Sequence, residues 1–174
     1  MKAIKVLFAL CLLVSLNACQ ESEDLVIDLN ESELIGTWNL TKLSQDGTIQ
    51  VPGVIVPVPI ASEGSNFDAL IEITDNPNDF SAKGSFINTT IIDIPLGDSF
   101  EIEEEINLSE FFASGLWNVE NGIITVSQGS LDQTISILNY DGNSVELQFD
   151  IVVPVTYNGI AVQSNSTIDM TLTS

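Results

Sequence analysis

The chain has 174 residues, and 25 Asp and Glu against four Lys and no His give a formal net charge of −21. A surface this acidic repels phosphate backbones, which argues against a nucleic-acid-binding protein. Without histidine the chain has no His-based acid–base catalysis, no His metal ligand and no Ser-His-Asp triad, and it carries no P-loop or dinucleotide fingerprint.

The first residues have the pattern of an export signal. Lys2 and Lys5 form a short positive region, and residues 6–16 form an apolar stretch. About 20 apolar residues are needed to cross a bilayer as a helix, so this stretch is too short to span one. A charged start, a short apolar middle and small residues before a cleavage point predict that the segment is removed.

The tetrapeptide Leu16-Asn17-Ala18-Cys19 resembles the lipobox of bacterial lipoproteins. The resemblance implies that residues 1–18 are a signal peptide and that Cys19 becomes the acylated first residue. It therefore implies attachment to the outer membrane of a Gram-negative bacterium, through a diacyl or triacyl anchor stable enough to hold the protein there. The alternative is an ordinary signal peptide followed by an incidental cysteine.

Residues 19–30 are acidic and are predicted to form a tether between the anchor and the folded domain. Glu21, Glu23 and Asp24 resemble the surface-export signal of certain Gram-negative lipoproteins, and the alternative is a plain spacer facing the periplasm. The exported chain would keep 25 acidic residues and two Lys, a net charge of −23. We therefore expect anionic lipid head groups to repel it, leaving the acyl chains as its membrane attachment.

Two features come next along the chain. Asn30 followed by Glu33 has the spacing of a capping box, which predicts a short helical turn that stops at Gly36.

Residues 49–60 are apolar and include three Pro. Because Pro cannot donate to a sheet ladder, this segment is predicted to be an edge strand or a long loop. If exposed it would contact a partner or ligand, and if packed, the interpretation we favour, it closes one end of the core.

Alternation of apolar and polar residues predicts strands over most of the remainder. The clearest runs are residues 67–74 (with Leu70 as the exception), 100–108 and 145–153. Such runs have one buried and one wet face, as in antiparallel sheets. Turn signals separate the runs: Asp46-Gly47, Leu96-Gly97-Asp98, Asn121-Gly122, Asp141-Gly142 and Asn158-Gly159. The prediction is an all-β fold of about eight to ten strands, either a β-barrel or a β-sandwich.

A second family resemblance begins at residues 32–43, SELIGTWNLTKL, where a short helical turn leads into Gly36-Thr37-Trp38. This resembles the entry of lipocalin-like domains, and residues 115–122, GLWNVENG, resemble a hairpin of their bacterial lipoprotein branch. The resemblance implies an antiparallel up-and-down barrel over residues 31–174. It also implies that Trp38 plugs the bottom of that barrel.

Candidate site residues follow from these patterns. Trp38, Trp117 and Phe100 are expected to line or plug the interior, and Glu104 falls on the apolar face of its run, inside a cavity or at its mouth. Glu103 and Glu105 point to the opposite, wet face. The turn at residues 75–79, DNPND, offers oxygen ligands of the type Ca²⁺ prefers, but without EF-hand spacing it is more often just a turn.

The expected function is a non-enzymatic binding module for a small apolar or amphipathic ligand, without a metal or cofactor. An eight-stranded barrel can hold one small ligand or be filled by side chains. The alternative is therefore a structural or interaction lipoprotein with a filled core, which contacts another envelope protein. A carboxylate-based hydrolase acting on glycans through Glu104 is a third reading.

Overall fold

A computed structural model describes residues 29–50, 56–93, 98–157 and 160–174 of the chain, with the backbone alone described at 153–157, 160 and 161. The predicted signal peptide, Cys19 and most of the acidic tether lie outside the described residues. The elements in chain order are α1 (Glu31–Leu34), β1 (Gly36–Ile49), β2 (Val58–Asp75), β3 (Asn78–Asp93), β4 (Ser99–Asn107), a 3₁₀ turn (Leu108–Glu110), β5 (Gly115–Glu120), β6 (Ile123–Gln128), β7 (Leu131–Tyr140), β8 (Ser144–Tyr157) and β9 (Ile160–Thr173).

The nine strands of the described chain form a single antiparallel sheet in a ring-like arrangement. Its order is β2-β1-β9-β8-β7-β6-β5-β3-β4, and β2 also pairs with β3. The all-β, antiparallel prediction and the expected strand number are therefore confirmed.

The ring has two unlike ends. At the end nearest α1, here named the helix end, β5 joins β3 through the pairs Asp79↔Leu116 and Phe80↔Gly115. At the opposite end, here named the far end, β3 instead pairs with β4. There β8 is paired with β9 only, because its described pairing with β7 stops at Ser136↔Gln148. Among the described strands, β4 and the second half of β8 thus face an opening.

Side chains close the helix end. The backbone N–H of Asn30 donates to the Glu33 carboxylate at 2.9 Å, so the predicted capping box is present. Two aromatic side chains donate hydrogen bonds to the last carbonyls of α1: Trp38 Nε1 donates to Leu34 O at 2.8 Å, and the Tyr140 hydroxyl donates to Glu33 O at 3.0 Å. Burial raises the pKa of that hydroxyl, and the charges of Glu33 and Asp141 raise it further.

The main core runs from the helix end to the middle of the ring. In strands β1, β2, β8 and β9, buried residues largely alternate with more exposed ones. This agrees with the alternation predicted for residues 67–74 and, where side chains are described, for residues 145–153. Phenylalanine rings fill the middle, with centroid separations of 6.0 Å (Phe67–Phe86), 5.9 Å (Phe86–Phe111), 5.7 Å (Phe80–Phe112) and 4.8 Å (Phe112–Phe149). Burying one such side chain stabilises the fold by about 1.5–3 kcal/mol.

Both strong hairpin predictions are confirmed. Asn121 and Gly122 have φ of 52° and 74° between β5 and β6, as a two-residue type I′ loop requires. Asp141-Gly142 turns between β7 and β8, where the N–H groups of Asn143 and Ser144 donate to Asp141 Oδ1 at 2.9 and 2.7 Å. These bonds hold the pKa of the Asp141 carboxyl below its usual value. Asn158-Gly159 and Leu96-Gly97 lie outside the described residues.

Three expectations need correction. The prediction of a turn at Asp46-Gly47 is wrong, because both residues lie inside β1 and pair with β2 and β9. Most of the run 100–108 is a strand, but the start of its expected buried face is exposed: 47% of the surface of Phe100 and 38% of that of Ile102 are open to solvent. The third is the edge strand or long loop predicted for residues 49–60: Ile49 ends β1 between β2 and β9, and Ile60 lies in β2 between β1 and β3. Residues 51–55 lie outside the described residues, and the burial of Val58 and Ile60 supports the packed interpretation for that part.

Candidate functional site

A single side chain organises the interior beside the opening. Gln133, at the start of β7, accepts a hydrogen bond from the backbone N–H of Ala113 at 2.9 Å and donates to Phe111 O at 2.8 Å. Gln133 thus acts like a strand partner for the segment between the 3₁₀ turn and β5. With this segment held, Phe111 and Phe112 are buried in the centre of the ring.

A cleft opens where β7 and β8 separate. Its volume is about 570 Å³, within the range of about 300–1,000 Å³ typical of small-molecule sites. Its inner wall includes Phe112 and Phe149, which are almost fully covered, and the half-buried Ile151. The remaining lining is Glu110, Phe111, Ala113, Gln128, Asp132, Gln133, Thr134, Ser136, Gln148, Asp150 and Val152.

The charge of the cleft is one-sided. Within the described part of the chain, three carboxylates line it, those of Glu110, Asp132 and Asp150, and neither Lys42 nor Lys83 does. Asp132 accepts a hydrogen bond from Ser127 at 2.7 Å, and Asp150 accepts one from Thr167 at 2.7 Å. The cleft therefore favours neutral or cationic groups and disfavours anions.

Buried polar side chains lie on the inner face next to the cleft. They belong to strands β1, β2, β3 and β9. On each strand they lie between the main core and a small apolar cluster at the far end, which consists of Ile49, Val58, Ile60, Ile92 and Val162. This polar belt consists of the buried Gln45, Ser62, Asn88, Ser164 and Ser166 and of the half-buried Thr90, whose hydroxyl lies 2.8 Å from that of Ser62. Ile151 of the cleft is paired with Ser166 of the belt, so the two features adjoin.

Hydrogen bonds connect most of the belt. Gln45 Nε2 donates to Ser166 Oγ at 2.8 Å, and the hydroxyls of Ser164 and Ser166 are 2.6 Å apart. Asn88 Nδ2 donates to Thr90 Oγ1 at 3.1 Å, whereas no described group donates to the buried Oδ1 of Asn88. A buried acceptor without a donor is costly, so the belt is not a simple extension of the apolar core.

The structure separates the four residues proposed from sequence. Trp38 and Trp117 are buried, and each indole N–H donates to a backbone carbonyl. Trp38 donates to Leu34 O and Trp117 to Thr74 O, both at 2.8 Å. Phe100 and Glu104 are exposed on β4, on the same face as their partners Ile92 and Asn88, which is the inner face. None of the four is among the described residues that line the cleft.

Sequence reasoning missed the cleft residues, although two signals were available. Phe111-Phe112 are adjacent aromatic residues just after a strand, outside any period-two pattern. Gln133 stands in register with Ile135 and Ile137, which places an amide on the buried face of β7. A polar residue at an inner position needs a partner, and this one finds it in the backbone of the central segment.

Residues 75–79 form the hairpin turn from β2 to β3, where Asp75 is paired with Asn78. Over the described ranges, no group of three or more His, Cys, Asp or Glu is arranged to hold a metal ion. Likewise, no helix within the described part of the chain is long and apolar enough to cross a membrane.

Comparison with protein-family models, with curated proteins and with solved structures finds no match.

Proposed function

We propose that the chain is a binding module for a small amphipathic ligand whose polar part is neutral or cationic. The observation that carries the proposal is the cleft of about 570 Å³ at the separation of β7 and β8. Its rim offers amide, hydroxyl and carboxylate oxygens, and Ile151 and Val152 offer apolar surface. Small-ligand sites usually combine an apolar wall with a few polar groups. Here eight of the fourteen described residues that line the cleft are polar, so we expect the ligand to make most of its contacts through its polar part.

The proposal includes the envelope setting and the finer fold. The ring-like sheet would be a lipocalin-like up-and-down barrel, held to a Gram-negative outer membrane by lipidated Cys19. Support for the anchor comes from the lipobox-like residues 16–19, and support for the barrel comes from the additional pairing of β2 with β3. Replacement of Cys19 by Ser should release the protein from the membrane fraction, and a variant that still sediments with membranes would refute the anchor.

The ligand proposal is tested with three short amphiphiles that differ in head group: hexyl glucoside, hexyltrimethylammonium and hexanoate. Titration calorimetry should detect binding of the neutral or the cationic compound, and hexanoate should bind roughly tenfold more weakly or not at all. Native mass spectrometry of the full chain, purified gently from its host, provides a second readout as a retained mass that leaves on organic extraction.

A matched pair of variants locates the binding. Ile151→Trp fills the cleft and should abolish binding, whereas Leu138→Trp, at a half-exposed β7 position outside the cleft, should leave it unchanged. Equal binding by both variants would place the ligand elsewhere. No binding of any amphiphile and no retained mass would support the alternative of a filled interior and a protein partner.

A further inference from the structure

Among the described residues, strand β4 has one edge without a partner strand. It pairs with β3 along its whole length, from Ser85↔Asn107 to Asp93↔Ser99, and no other described strand pairs with it. The N–H and C=O groups along a free strand edge can accept another extended chain. None of the residues that line the cleft belongs to β4, so this edge is a separate feature from the proposed ligand site.

Both faces of β4 are open to solvent. Every residue from Ser99 to Glu105 is exposed, although Phe100 and Ile102 point to the inner face beside the buried Ile92. A strand added to β4 would cover these two apolar side chains. It would remove them from water while pairing the free backbone groups, which is how strand addition gains affinity.

The charges on β4 decide which partner fits. Glu101, Glu103 and Glu105 alternate along its outer face, and Glu104 adds an acidic group on the inner face. Two copies of this edge would bring like charges opposite each other, which destabilises strand pairs. The chain's net charge of −21 opposes self-association further. A partner strand must therefore carry basic residues opposite the glutamates.

We propose that β4 docks an extended segment of a basic partner protein, in which Lys or Arg alternate with apolar residues, as an added antiparallel strand. The basic side chains lie opposite the outer glutamates, and the apolar ones continue the inner surface of Phe100 and Ile102. Backbone pairing supplies the attachment, and the alternation selects the partner.

The test uses the full chain and synthetic peptides, measured by fluorescence anisotropy at physiological salt. The first peptide alternates Lys and Val, the second replaces Lys by Glu, and the third is the Lys peptide with alternate backbone amides N-methylated. The Lys peptide should bind roughly tenfold or more tightly than either other peptide, because only it has both the charge and the pairing edge. Equal binding of the N-methylated peptide would overturn strand addition, as would no binding of the Lys peptide.

Two double variants with the same charge change separate the edge from general acidity. Glu101→Lys with Glu103→Lys should reverse the preference, so that the Glu peptide binds better than the Lys peptide. Glu63→Lys with Glu146→Lys changes exposed residues on strands whose edges are both paired, and it should keep the original preference. Equal weakening of the Lys peptide by both variants would show that surface charge alone attracts it and would overturn the proposal.

Discussion

Replacement of Gln133 by Leu tests whether one amide holds the centre of the ring. The side chain makes two hydrogen bonds to the segment after the 3₁₀ turn, at 2.9 Å to Ala113 N and 2.8 Å to Phe111 O. Each contributes about 1 kcal/mol, so their loss should reduce the free energy of unfolding by about 2 kcal/mol. For a domain of this size that corresponds to a melting temperature lower by roughly 4 to 8 °C.

The assay is equilibrium unfolding in urea, followed by tryptophan fluorescence, with thermal unfolding by circular dichroism as a second measure. Gln148→Leu is the matched control, because Gln148 lines the same cleft but its hydrogen bond goes to Asp169 at 2.8 Å and not to the central segment. The control should lose less than about 1 kcal/mol. If Gln133→Leu loses no more than the control, the backbone of residues 111–113 is held by its phenylalanines alone and the reasoning fails.

Further predictions concern the belt, one turn and the net charge. Ser166→Ala leaves the buried Gln45 amide without its acceptor and should cost about 1–3 kcal/mol in urea unfolding; a neutral result would mean that the belt does not constrain the fold. Asp141→Asn removes a carboxyl whose pKa is lowered by N–H groups of Asn143 and Ser144, so its stabilisation is present above the unfolded pKa and lost as pH falls through the folded one. Wild type should therefore lose more stability than this variant between pH 5 and pH 2, as urea midpoints report, and parallel curves would contradict the assignment. Added NaCl should raise the melting temperature, because it screens repulsion in a chain of net charge −21; no rise would show that the repulsion is negligible.

The strands were predictable because alternation is a local property of the sequence. Whether an alternating strand is covered is not local, and β4 shows the difference. Its apolar residues repeat as regularly as those of β8, yet Phe100 and Ile102 are exposed while Leu147 and Phe149 are buried. The cause is the position in the sheet, since the first half of β8 lies over the main core, whereas β4 lies beside the opening together with the second half of β8. The cleft depends on the same pairing and could not be located from sequence.

Gly47 shows a second limit of the sequence pattern. Asp46-Gly47 predicts a hairpin by composition, but the glycine is needed near the end of β1 for a different reason. A Cβ at this position would lie 2.2 Å from Ser166 Oγ and 2.6 Å from Asn165 O, so no larger residue fits there without displacing β9. The same dipeptide thus serves a turn at Asp141-Gly142 and a close strand contact at Asp46-Gly47, and only the partner strand distinguishes them.

The polar belt bears on the choice between a binding module and a filled structural domain. A domain that only needs to be stable gains most from an apolar interior, because a partly satisfied polar network is worse than an apolar core. Here the helix end follows that rule, while the belt interrupts the apolar surface on four neighbouring strands and leaves Asn88 Oδ1 without a described donor. The interruption lies beside the cleft, through the pair Ile151↔Ser166. Its position at the open part of the ring favours the recognition of a polar group over the filling of a core.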